Sequence, residues 1–365
     1  MSVRAVITEL EKLAPPALQE KYDNAGLLTG DADWNCTGIV CSLDATEEVV
    51  REAVAKGCNL VVAHHPIIFS GLKRLNGSNY VERAVIAAIK NDIAIYAIHT
   101  NLDNTIGGVS GRMAALLGLQ NIIPLLQKED TLRKLFTFVP AKHAAEVRDA
   151  LFAAGGGSIG KYSECSFNSE GTGTFKAGAG ADPFVGQIGK RHEEGETRIE
   201  LVFPSFLQAA IVSALKTSHP YEEVAYDIVP LRNTSDAWGA GALGELAVPM
   251  EENEFLERVR SVFHLQVIRH TPLVGKKIGR VALCGGSGSF LISNALKQNA
   301  DIYLTSDIKY HEFFDGNGKM VIADIGHYES EQFTIDLLLE ILAEKFLTFA
   351  VLKTEVNTNP VRYLK

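Results

Sequence analysis

The chain has 365 residues, of which 46% are hydrophobic and 22% charged, and its 35 Lys plus Arg stand against 44 Asp plus Glu for a net charge of −9. That length holds two or three compact units, and the balance excludes collagen, coiled coil and wholesale disorder. An acidic total with no run of Lys or Arg argues against sequence-independent nucleic-acid binding, which needs a basic footprint to release counterions.

At the N-terminus, MSVRAVITELEKLAPP interrupts its apolar residues with Glu9, Glu11 and Lys12, so no signal peptide is expected. Apolar runs over 38–43, 60–63 and 93–98 read as strands. Between them, 45–56 and 80–90 carry apolar residues at helical spacing, and Gly57 stands where a helix C-cap is wanted. This alternation is that of a parallel α/β layer structure.

The segment 129–232 follows another grammar: strand 132–139, helix 144–153, a turn-linked strand pair 165–170 and 171–175, strand 196–203, helix 206–217 and strand 223–229. That β-α-β-β-α-β order is ferredoxin-like. Its stretch GTGTFKAGAGADPFVGQIG reads either as a mobile or ligand-covering loop or as a plain solvent loop.

Beyond it the α/β alternation returns as strand 280–284, helix 290–298, strand 301–304, a helical stretch near Tyr310, strand 320–323 and a long helix 330–346. The expected architecture is one discontinuous α/β domain, in halves 1–128 and 233–365, interrupted by a ferredoxin-like α+β domain at 129–232. No stretch approaches ~18 uninterrupted apolar residues, so no membrane span is expected. Cys36, Cys41, Cys58, Cys165 and Cys284 form no C-x-x-C pair, which fits a reducing cytoplasm better than a disulfide framework.

In open parallel sheets, ligands bind beyond the carboxyl ends of the strands. Here 60–63 ends in His64 and His65, 93–98 in His99 with Asp103 beyond it, 320–323 in Asp324 with His327 and Glu331 beyond it, and 38–43 in Asp44. Taken singly, each suits a polar turn or a structural side-chain contact. Together they suit divalent metal ions, because imidazole and carboxylate are the donors such ions take, and one carboxylate can bridge two cations roughly 3.5–4 Å apart. The i, i+4 pair His327 and Glu331 shares one helix face.

His311, four residues beyond Asp307, reads as an acid/base on a helix lining the site or as an exposed helix residue. His99 reads as a proton carrier or as a group that orients the ligands. His219, with Glu222 and Glu223, reads as a surface cluster or as a second metal or interface site. The GGSG run at 285–288 lacks the third glycine of a dinucleotide fingerprint and the Lys of a Walker loop, although an amide nest at the following helix could accept a phosphate.

DNAGLLTG (23–30), HHPIIF (64–69), AIHTNLD (97–103), GGSG (285–288), SDIKYHEF (306–313) and DIGHYESE (324–331) together resemble, in order, the motif series of one family. These are the type 2 GTP cyclohydrolase homologues, the Nif-three-like dinuclear metal-centre proteins. The 129–232 segment resembles the PII-like or CutA-like domain of the longer members, SHPYEEVAYDI (218–228) being its most recognisable stretch. The resemblance implies two divalent ions per subunit on His64, His65, Asp103, His327 and Glu331, and such mixed imidazole and carboxylate ligation suits Zn, Fe, Mn or Co alike. It further implies a metal-dependent hydrolase that opens the purine ring of GTP, and a homohexameric toroid; the residues themselves offer His99 and His311 as candidate proton carriers. A small-molecule or nucleotide substrate and no membrane partner belong to the same expectation. The alternative is a non-catalytic metal-binding, metal-delivery or regulatory protein whose inserted domain senses a ligand.

Overall fold

Leu60–His65 is buried over its first five residues, as a strand flanked by neighbours and covered on both faces must be. The computed structural model describes residues 1–364. It divides into two units, residues 1–127 together with 236–364, and residues 128–235.

The larger unit carries two main sheets. In the first, the order is Gly26–Thr29, Ala94–Ala97, Leu60–His65, Ile39–Asp44 and Val351–Lys353, parallel throughout except for the Gly26–Thr29 edge. In the second, Ile278–Ser287, Ile302–Ser306 and Val321–Asp324 are parallel, with antiparallel Arg269–His270 on one side and Ala242–Met250 and Gln120–Ile123 on the other. Each half of the chain therefore lends an edge strand to the sheet built mostly by the other. That exchange makes the two halves one unit.

The helices follow local rules. Glu47–Ala55 starts behind the Thr46 side chain, which accepts the Val49 amide, and stops where Gly57 takes φ +69°. Thr334–Lys345 buries Ile335, Leu338 and Leu342 against the first sheet's core, each side chain contributing about 1.5–3 kcal/mol when fully covered. The single long helix expected over 330–346 is instead two, His327–Glu331 and Thr334–Lys345. At the break, Gln332 donates its side-chain amide to the Phe263 carbonyl, and Phe333 packs its ring 5.9 Å from that of Phe263. Tertiary partners thus stop a pattern that helical periodicity alone would continue. Likewise 290–298 begins as a 3-10 turn, Ser289–Leu291, before Ile292–Lys297.

The smaller unit has the element order β-α-β-β-α-β. Its antiparallel sheet runs Tyr226–Pro230, Leu132–Pro140, Arg191–Pro204 and Phe167–Lys176, with helices Ala144–Ala153 and Gln208–Ser218 packed on one face. The expected turn between 165–170 and 171–175 does not exist. One strand, Phe167–Lys176, runs through Gly171 and Gly173 and pairs continuously with 191–200, so the hairpin connection is 177–190. Gly173 is in the strand because Glu196 needs the room: a Cβ there would lie 2.1 Å from Glu196 Oε2.

Candidate metal centre

The carboxyl ends of the parallel strands in the larger unit bring the candidate residues together. His64 and His65 end the Leu60–His65 strand, and His99 with Asp103 follows Ala94–Ala97. From the second sheet, Gly326 takes φ +89° after Val321–Asp324 and starts the turn of helix carrying His327 and Glu331. Three sets of donor atoms then lie within 4.8 Å of one another: His65, His327 and Glu331; His64, Asp103 and Glu331; and His64, His65 and His99. The sets share members, and Glu331 belongs to two of them.

Each imidazole is held by its Nδ1. His64 Nδ1 lies 2.8 Å from the Ile98 carbonyl, His65 Nδ1 2.8 Å from Asp44 Oδ1, His99 Nδ1 2.7 Å from Asp23 Oδ1 and His327 Nδ1 2.6 Å from Asp307 Oδ2. A carbonyl only accepts, so the His64 proton sits on Nδ1 and its Nε2 presents a lone pair when the ring is neutral. Fixing the tautomer through the far nitrogen is what orients an imidazole for metal binding.

The inward atoms have no such satisfaction. His64 Nε2 and Asp103 Oδ1 are buried without a hydrogen-bond partner. His64 Nε2 stands 3.6 Å from Asp103 Oδ1 and 3.8 Å from Glu331 Oε1, too far for hydrogen bonds. Glu331 Oε2 lies 2.9 Å from His65 Nε2 and 3.1 Å from His327 Nε2. Those two imidazole nitrogens are themselves 3.4 Å apart. Buried acceptors converging on one another are costly unless a cation lies among them. The donor set, imidazole plus carboxylate, fits a divalent transition metal.

Electrostatics agree. Burial alone would lower the imidazolium, yet Asp44 and Glu331 hold His65 up to about 10. Against the same burial, Asp307 and Glu331 hold His327 up to about 11. Burial, and then the charge of Glu331, push the Asp103 carboxyl up, while the surrounding imidazoles overcome burial to keep Glu331 well down. Burial would raise Asp23, but hydrogen bonds from His99 and Thr100 bring it to about 2. Metal-free, the pocket fills its negative potential with imidazolium protons.

Glycines around the centre serve Glu331. A Cβ on Gly286, at φ +63°, would lie 2.2 Å from Glu331 Oε1. The Gly285 and Gly286 amides donate to Ser110 Oγ and Ser330 Oγ, so the GGSG run offers these two groups to side chains rather than to a phosphate. The helix after it, Ile292–Lys297, has only six residues.

His311 stands apart from the three donor sets. It is exposed on the 3-10 turn Tyr310–Gly316, with its ring against Tyr310 and Phe314. His219 is no surface group: it is 6% exposed, with Nε2 at the Phe138 carbonyl and Nδ1 accepting the Tyr221 amide. What the sequence reading passed over are the anchors Asp23 and Asp307, which lie inside DNAGLLTG and SDIKYHEF, and Thr358, whose hydroxyl donates to Asp44 Oδ2. The two carboxylates carried a signal in their motifs. Thr358 carried none.

The family model for Duf34/NIF3 (NGG1p interacting factor 3) matches residues 1–360. A Halalkalibacterium halodurans protein named GTP cyclohydrolase 1 type 2 homolog is 37% identical, the match covering 99% of this chain and 98% of that one. A Bacillus subtilis protein of the same name is 35% identical over 98% of each. The crystal structure of a Bacillus cereus protein related to NIF3 is similar with a TM-score of 0.88 at 36% identity, covering 100% of this chain and 99% of that one. By this match over nearly its whole length, the chain belongs to the Duf34/NIF3 family.

Proposed function

We propose that His64, His65, Asp103, His327 and Glu331 hold two divalent cations, and that the centre performs metal-dependent hydrolysis of a small-molecule or nucleotide substrate. One observation carries this reading: the two oxygens of Glu331 face different donor sets, Oε2 toward His65 and His327, Oε1 toward His64 with Asp103 beyond. A single ion would need one such set, whereas a shared carboxylate serves a pair. Zn, Fe, Mn and Co all accept this ligation. When bound, such ions lower the pKa of water toward about 7 and polarise the electrophile.

The chain's own contribution is orientation and proton transfer. Asp44, Asp307 and the Ile98 carbonyl fix three imidazoles, and His99, held by Asp23, is placed to carry protons at Nε2 beside His64 and His65. The relatives' name points to GTP, and purine-ring opening with formate release is the reaction we assign as its first test. Kinship of the 128–235 unit with PII-like or CutA-like domains, a homohexameric toroid and a cytoplasmic setting complete the reading. The β-α-β-β-α-β order supports the first, and five free cysteines support the last. Among the described residues, no helix is long and apolar enough to cross a membrane.

The test is formate release from GTP by protein loaded with Zn, Mn or Fe, alongside metal content per chain. Equal rates from wild type and His64→Ala would sink metal-centred catalysis. Metal bound without turnover of GTP would favour the binding or regulatory reading.

A further inference from the structure

A cavity of about 670 Å³ lies wholly within the 128–235 unit. Strand alternation explains its position. Leu135, Val139, Ile199, Leu201 and Phe203 turn toward the helices, so Phe138, Glu196 and Arg198 turn to the face those helices leave bare. Across from Arg198 and Glu196 the register places Ser169 and Gly171, with Gly173 and Phe175 continuing the same face. The 177–190 connection and residues near Tyr221 rise over it as walls.

Three features describe what this space would hold. First, its walls are aromatic: Tyr221 lies 6.0 Å from Phe175 and 6.3 Å from Phe184 between ring centroids. Planar rings stack on such walls. Second, its floor is bare backbone. Glycine inside a strand weakens the strand, and it recurs where a ligand approaches closely. Gly173 makes room for the Glu196 carboxylate, whereas a Cβ on Gly171 would meet nothing within 4 Å, so that position is open to the cavity. Third, its charge is acidic. Glu170, Glu196, Glu222 and Glu223 line it against Lys176 and Arg198, and Arg198 is already paired with Glu200 at 3.0 Å. The Tyr221 hydroxyl donates to Glu196 Oε1 at 3.0 Å, which orients the carboxylate without exhausting its acceptor sites.

We propose that this cavity binds a planar heteroaromatic ring that presents two adjacent N–H donors to Glu196, as a 2-aminopyrimidinone edge does. The acidic lining disfavours a ligand recognised through phosphate, and the oriented carboxylate disfavours a purely apolar one. Adjacent N–H donors match the two oxygens of a carboxylate, and hydrogen bonds to an ionised acceptor are the stronger kind. This assignment is independent of the metal centre, whose residues all belong to the other unit.

The probe is guanosine, with adenosine as the ring that lacks the donor pair, measured by equilibrium dialysis on the full chain in EDTA. Expected is saturable guanosine binding, at least ten-fold tighter than adenosine, retained in His64→Ala. Gly171→Val fills the cavity from a position with room for the new side chain, and it should weaken guanosine at least ten-fold while leaving the circular dichroism melt unchanged. Glu196→Gln should do the same if Gly171→Val fails to fold. Three outcomes overturn the proposal: no saturable binding, binding untouched by both cavity variants, or binding lost in His64→Ala alone. A change in sedimentation of Gly171→Val with no guanosine binding by the wild type would give this face to contact between copies of the chain instead.

Discussion

Asp44 joins two parts of the chain that lie far apart in sequence: its Oδ1 accepts the Nδ1–H of His65 at 2.8 Å, and its Oδ2 accepts the hydroxyl of Thr358 at 2.5 Å. A residue near the C-terminus thereby sets the aim of an imidazole near the N-terminal quarter. His65 and Thr358 lower the carboxyl against the effect of its burial, so it stays an acceptor at neutral pH. Removing the hydroxyl with Thr358→Val leaves Asp44 free to rotate, and loss of such an orienting contact weakens metal affinity by roughly 10–100-fold. Competitive chelator titration reads this directly, and an unchanged affinity contradicts the orienting role.

Glu331 and His64 should differ in what they release. Glu331→Gln removes the carboxylate common to two donor sets and should take metal content from about two ions per chain to nearly none. His64→Ala leaves His65, His327 and Glu331 intact and should retain about one ion. Elemental analysis of the two variants after identical loading distinguishes them, and equal losses would argue for a single ion.

Gly286→Ala tests the packing around the same carboxylate. Its Cβ would stand 2.2 Å from Glu331 Oε1, and its φ of +63° is one that alanine adopts only with strain. The expected result is metal loss comparable to Glu331→Gln together with a destabilisation of about 1–3 kcal/mol. Full metal retention with an unaltered urea midpoint would show that Glu331 can move aside.

The pH dependence of metal-free stability has a definite sign. His65 and His327 are raised to about 10 and about 11 from an unfolded value near 6.5, so their contribution is complete below that value and is lost as pH rises through those higher values. In chelator, the melting temperature of the wild type relative to His327→Gln should therefore fall between about pH 7 and pH 11. With metal present the trend reverses over the neutral range, because the ligands must lose protons to bind. A flat wild-type difference in chelator would exclude the imidazolium pair.

Asp23→Asn addresses His99. The Asp23 side chain is fully covered, accepts from His99 Nδ1 at 2.7 Å and also takes the Thr100 amide at 3.0 Å. The variant should keep its metal content but lower turnover by about 10²–10⁴-fold and displace the pH–rate profile, since proton carriers contribute on that scale. Metal loss in this variant would instead make His99 a ligand.

Much of this molecule is legible locally. Strands such as Leu60–His65 open on continuous apolar runs, Thr46 starts a helix with its hydroxyl and Gly57 follows its end with a left-handed backbone, and the residues His64, His65, Asp103, His327 and Glu331 stand at or just beyond strand ends. Such signals depend on neighbours within a few residues, so the amino-acid order determines them by itself.

The tertiary structure decided what depends on distant partners. Gly171 and Gly173 read as a turn because glycine permits one, yet a ladder to 194 and 196 keeps the strand extended. The 330–346 periodicity is helical throughout, yet contacts to Phe263 break it after Glu331. His219 looks like a surface histidine beside two glutamates until the Phe138 carbonyl, 81 positions away, is found at its Nε2. The orientation of every imidazole in the centre is set by an acceptor at least 20 positions distant. A side chain's chemical type is written in the chain, but its direction is a property of packing, and in a metal site direction is what turns donors into ligands.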